Sequence, residues 1–191
     1  ADEISRYIND DSANTWGKTS IATSMTDQVA TTAFPHFAVA VDLTNSKILL
    51  VAWSAIDTAN ADLRFWTIDE SSITEGTNVV LNSTDDQGLC AIGLGTDTNT
   101  IYVYYCGKSD GSETFGTSVN IYCKASKDGG TTWLPETKLT LNANNFRNIC
   151  TYPRFTGGKL MCFYMRDDAN NDEIGMLTDI SQPKAKYQIG I

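Results

Sequence analysis

The chain has 191 residues, enough for one domain with a sizeable core. Its 41% hydrophobic and 10% aromatic content exceeds what a disordered chain carries. Lys and Arg number 14 against 23 Asp and Glu, a formal net charge of -9 that repels phosphate backbones and sets nucleic acid aside as a partner.

Thr, Asn, Asp, Ser and Gly outweigh the charged helix formers, which favours strands joined by polar turns. No apolar run approaches the roughly 20 residues of a membrane-spanning helix, so membrane insertion is not expected. Ala1-Asp2-Glu3 has neither an initiator Met nor a signal-peptide pattern, and the chain reads as a processed form or part of something longer.

In chain order, residues 1–24 supply two strands on either side of Asn9-Asp10-Asp11-Ser12-Ala13-Asn14-Thr15-Trp16. A first full unit, 34–83, has a hairpin around Thr44-Asn45-Ser46, a third strand at 62–68 and a fourth at 77–82. A second, 88–142, turns at Asp97-Thr98-Asn99, with later strands at 119–125 and 137–142. A third, 148–191, turns at Thr156-Gly157-Gly158, with later strands at 173–180 and 186–191. Asn, Asp and Gly tolerate the positive φ that such turns demand.

The second strands align at Ile48, Ile101 and Leu160, intervals of 53 and 59 positions. Repeats of roughly 40–60 residues with several strands each are the mark of propeller blades. Runs such as 48–53 and 101–106 are apolar on both faces, as sheets sandwiched between other sheets require. The expectation is an all-β propeller segment over 1–191, with four-stranded antiparallel blades. About three and a half are present, as a partial or small ring.

Five cysteines, Cys90, Cys106, Cys123, Cys150 and Cys162, lie in strand-like apolar runs without a Cys-x-x-Cys pair. They read as small buried hydrophobes, with a Cys106–Cys123 cross-strand disulfide as the alternative.

Residues 126–133 fit Ser-x-Asp-x-Gly-x-Thr-Trp through Ser126, Asp128, Gly130, Thr132 and Trp133. This resembles the Asp box, or bacterial neuraminidase repeat, of sialidases, sortilin-type receptors and other propellers. A degenerate copy keeps Asp11, Thr15 and Trp16, while the stretch at Asp69-Glu70-Ser71-Ser72 has lost the motif. The resemblance implies a turn-stabilising role for these residues and a sialidase-like fold, whose ring has six blades. It does not by itself imply catalysis.

Alternating strand direction puts the second-to-third loops and the inter-blade connections at one end, opposite the Asp-box turn. Longer loops carry ligands more often, so Asp57, Asp110, Glu113, Phe115, Arg147 and Asp168 are the candidate binding residues. Sialidases hold substrate with three arginines and use a Tyr nucleophile. Here Arg6, Arg64, Arg147, Arg154 and Arg166 do not reproduce that pattern, and the early Arg-x-Pro is absent. Tyr164, Arg166 and Asp167 form the nearest approach to a reactive cluster. His36 reads as a packed or capping residue. No metal site or cofactor is expected; Asp85-Asp86 and Asp167-Asp168 are oxygen-rich enough for Ca2+ but lack the spacing of a calcium loop.

These readings converge on a non-catalytic module for recognition or architecture in an extracellular or virion assembly, such as a phage fibre. A glycan, a cell-surface receptor, other protein chains or further copies of this one are the expected partners. The alternative is part of a sialidase-like exo-glycosidase, and a third is an intracellular assembly factor.

Overall fold

The computed structural model describes residues 3–23, 37–54, 62–81, 88–96, 99–113, 119–141, 145–155, 161–167, 173–178 and 188–189, and the elements among them are all strands. Strands β1 (Ile4–Asp10) and β2 (Thr15–Ala22) pair with each other. Three four-stranded sheets follow, each in sequential order. The first holds β3 (Phe37–Asp42), β4 (Lys47–Ser54), β5 (Asp62–Ile68) and β6 (Ile73–Glu75). The second holds β7 (Gly88–Leu94), β8 (Ile101–Cys106), β9 (Ile121–Ser126) and β10 (Thr137–Lys138). The third holds β11 (Asn145–Thr151), β12 (Met161–Asp167), β13 (Glu173–Thr178) and β14 (Gln188–Ile189). All neighbouring strands are antiparallel.

The fourth strand of the first sheet begins earlier than 77–82. Asp69 closes the turn after β5 by accepting from the Ser71 and Ser72 N–H groups, so the return starts at Ile73. Pairing breaks after Gly76 and resumes where Val79 and Val80 donate to the Leu63 carbonyl.

Apolar residues on both faces of the central strands explain how the sheets stack. Leu49, Val51, Trp53, Leu63 and Phe65 pack against Cys90, Ile92, Val103 and Tyr105 of the second sheet. The other face of that sheet, with Ala91, Tyr104, Cys106, Ile121 and Cys123, packs against Ile149, Cys162 and Tyr164 of the third. Leu50, Ala52, Trp66 and Ile68, on the outer face of the first sheet, meet Ala22 and Ile4 of the β1–β2 pair. Full burial of one large apolar side chain is worth about 1.5–3 kcal/mol, so these three seams supply most of the cohesion.

The cysteines are all free thiols. Cys106 lies opposite Ile121 and Cys123 opposite Tyr104, an offset that leaves the two without a direct cross-strand partnership. Four are buried, as expected; Cys150 is the exception, exposed on the face of β11 opposite Ile149.

Candidate functional site

Residues 126–133 form a loop closed by its own side-chain hydrogen bonds. Ser126 Oγ donates to Asp128 Oδ1 at 2.7 Å and accepts from the Gly130 N–H at 2.8 Å. The Thr132 hydroxyl and N–H donate to Asp128 at 2.6 and 2.9 Å. These hydrogen bonds, the Thr132 hydroxyl's first, hold the Asp128 carboxyl down at about 2. Gly129 and Gly130 take φ of 70° and 93°, the left-handed region that excludes most side chains.

The loop also grips the preceding sheet. Trp133 donates from Nε1 to the Thr77 carbonyl at 2.9 Å, and its ring meets Phe65 edge-on at 5.5 Å. The Thr77 hydroxyl returns a bond to the Thr131 carbonyl at 2.8 Å. Trp133 therefore packs sideways against a neighbouring sheet rather than simply beneath its own turn.

The degenerate copy behaves differently. Asp10, not Asp11, closes the β1–β2 turn, accepting from the Ser12 N–H and hydroxyl at 3.0 and 2.6 Å. Asp11 instead accepts from the Asn9 side chain at 2.8 Å. Trp16 is 65% exposed, because it has no packed sheet to lie against among the described residues. The turn-closing carboxylates Asp10, Asp69 and Asp128 recur at an interval of 59, from 10 to 69 and from 69 to 128. The interval of 59 is legible in the sequence, while Asp11 of the degenerate copy stands one position after the residue that closes the turn.

A cleft of 620 Å3 lies between the first and second sheets at the end that carries this loop. Thr67, Thr74, Glu75 and Lys47 line one side, and Asn99, Asp128 and Thr131 the other. Asp42 sits at its base, where it accepts from the Thr44 N–H at 3.1 Å and from Arg154 at 3.2 Å. The expected site was the opposite end. Hydroxyls, amides and carboxylates nonetheless converge here, because the β3–β4 turn, Asn99 and the Asp128 loop meet across the seam.

At the opposite end, the described candidates have partners of their own. Asp110 accepts from the Ser112 N–H and hydroxyl and pairs with Lys108. Glu113 binds the Asn120 N–H and side-chain amide at 2.8 and 2.9 Å, and the Tyr122 hydroxyl at 2.9 Å. Burial works against its charge, yet those hydrogen bonds outweigh it and lower its pKa. Glu136, which the sequence did not single out, joins them by accepting from the Tyr105 hydroxyl and the Ser109 N–H.

Tyr164 is buried at 6% exposure, edge-on to Phe146 at 5.3 Å, which places it in the core between sheets. Arg166 pairs with Glu173 at 2.6 Å directly across the β12–β13 ladder. Arg147 is the residue skipped in the β11–β12 ladder, a bulge that matches the irregularity at Leu89 in β7. The side chains of Arg147 and Asp167 lie outside the described residues, as do Asp57, Phe115, Asp168, His36 and Asp85-Asp86. Among the described residues no group of three or more His, Cys, Asp or Glu could hold a metal ion.

A second groove, of 440 Å3, runs between the first strands of the three sheets, past Phe37, Val39, Cys90, Ile92, Asn148 and Cys150. First strands gathered about one groove, with sheets fanning outward, describe an arc about an axis. No protein-family model matches the sequence, and no curated protein matches it. Among solved structures, the α-L-arabinanase of Penicillium chrysogenum complexed with arabinobiose superposes with a TM-score of 0.59 at 12% identity. The match covers 98% of this chain and 58% of that one, a five-bladed β-propeller.

The fold is a β-propeller.

Each four-stranded sheet is a blade, and the first strand of each lines the axis. The likeness supports the propeller expected from the repeats and residues 126–133. It does not single out the sialidase family, since the matching ring has five blades rather than six. The chain spans 58% of the arabinanase's length.

Proposed function

We infer that the chain is a non-catalytic propeller module that binds neutral carbohydrate, in the setting of an extracellular or virion assembly. The observation that carries this reading is the polar cleft between the first two blades. Its threonine hydroxyls, asparagine amides and carboxylates are the groups that bond sugar hydroxyls. Asp128 keeps its charge down to about pH 2, so the cleft disfavours acidic sugars such as sialic acid. A neutral oligosaccharide of two or three units fits the volume and the charge. Tyr164 in the core and Arg166 on Glu173 are occupied structurally, which favours binding over chemistry at that cluster.

The test is calorimetric titration with arabinobiose, a neutral galacto-oligosaccharide and sialyllactose. Binding of a neutral sugar near millimolar, about -4 kcal/mol, with loss in Thr67→Val/Thr74→Val, is the expected result. Those two residues face each other across the β5–β6 ladder, and the replacement keeps their shape. Preference for sialyllactose, or binding unaffected by the double variant, would exclude the cleft.

A second reading, a portion of a glycoside hydrolase, draws on the arabinanase likeness. Release of p-nitrophenol from arabinofuranoside or sialoside substrates by the complete native protein would establish it.

A further inference from the structure

One face of the first blade is covered only in part by the other described residues. On β3, Ala40 is 1% exposed, while Phe37, Val39 and Val41 on the alternate face are 41–49% exposed. Ile48, beside them on β4, is 41% exposed. Four contiguous apolar side chains left half in water are unusual in a blade whose opposite face is closed.

The repeat shows what belongs there. Elsewhere first strand packs on first strand: β3 lies against β7, and β7 against β11. On its other side β3 has no such neighbour among the described residues, because the β1–β2 pair covers Leu50, Ala52, Trp66 and Ile68 of β4 and β5. Asp10 closes the β1–β2 turn 59 positions before Asp69 closes the β5–β6 turn, and Asp69 stands 59 before Asp128 in the loop between β9 and β10, so the repeat puts β1 in register with the third strands β5 and β9. The pair therefore corresponds to the third and fourth strands of a blade. A groove of 480 Å3 runs between Tyr7 and Ile8 of β1 and Val41 and Ile48 of the first blade.

We propose that two further antiparallel strands of the same polypeptide fill this groove, one hydrogen-bonded to β1 and the inner one packed along β3. They would complete the β1–β2 blade as the fourth of the ring. The strand count agrees. Fourteen strands are described, and five blades of four need twenty; the shortfall of six is this pair plus one blade. A second copy could offer only its own β1–β2 pair, its other strands being bonded within four-stranded sheets, and pairing β1 to β1 across two copies would still leave each ring one blade short of five. An arabinanase chain of which this one spans 58% leaves room for the missing strands.

Intact mass, light scattering and amide hydrogen exchange on the native species test the proposal together. The expected species exceeds 20.9 kDa by at least the roughly 80–90 residues that one and a half repeats occupy, and every amide of β1 exchanges slowly. A monomer of 20.9 kDa, with alternate β1 amides exchanging at free-chain rates, overturns it. A 20.9 kDa chain that scatters as a dimer with β1 protected also overturns it, in favour of a second copy.

Discussion

At the scale of single residues, the acidity of this chain is largely put to work in turns. Asp10, Asp42, Asp69, Asp110 and Asp128 each accept backbone N–H groups from the residues that follow them. Hydrogen bonds, the Ser72 hydroxyl's first, take Asp69 to about 2, as those from Thr132 do for Asp128. Both folded values lie below the ordinary 3.8, so their contribution is present above pH 4 and is lost as pH falls toward 2. Thermal melts from pH 5 to pH 2 should show a shallower acid decline in Asp69→Asn/Asp128→Asn than in the parent. The paired glycines make a sharper comparison. A Cβ on Gly130 would stand 2.2 Å from the Phe65 ring, whereas one on Gly129 meets nothing within 4 Å. Gly129→Ala should cost about 1 kcal/mol through its positive φ, and Gly130→Ala about 3 kcal/mol, both read by denaturant unfolding.

At the scale of elements, the blades are held by more than apolar seams. After β11 the chain crosses to the second blade, where the Leu94 N–H donates to the Pro153 carbonyl and the Phe155 N–H to the Leu94 carbonyl. Arg154 lies between these two residues and reaches the Asp42 carboxylate of the first blade at 3.2 Å. One short segment of the third blade thus ties all three. Gly93 is required at this crossing because a Cβ there would lie 2.7 Å from the Tyr152 carbonyl oxygen. Arg154→Ala removes the partner of a nearly buried carboxylate but leaves its turn N–H bonds, so a loss of about 1–2 kcal/mol is expected in chemical denaturation. Steeper loss of the third blade's amide protection than of the first's would locate the effect at the crossing.

At the scale of the whole molecule, the arc of blades decides which groups water reaches. Burial raises the thiol pKa of Cys90, Cys106, Cys123 and Cys162, and Cys150 opens onto the groove between first strands. Titration with a thiol reagent at pH 8 should modify one cysteine in the native state and five after denaturation. Replacement of Cys150 by Ser should abolish the native reaction without shifting the unfolding midpoint.

Strand positions, the turn at Thr44-Asn45-Ser46 and the both-face apolar runs were legible in the chain because they are local or periodic, and so was the loop at 126–133; the turns at Asp97-Thr98 and Thr156-Gly157-Gly158 lie outside the described residues. The break at Gly76 was not, since it answers to how Asp69 closes its turn. Burial of Tyr164, the occupation of Glu113 and Arg166, and the polar cleft are products of sheets meeting across long sequence separations. Periodicity states which residues face a neighbour; only the stacking of one sheet on another determines which neighbour that is, and where two turns leave a space between them.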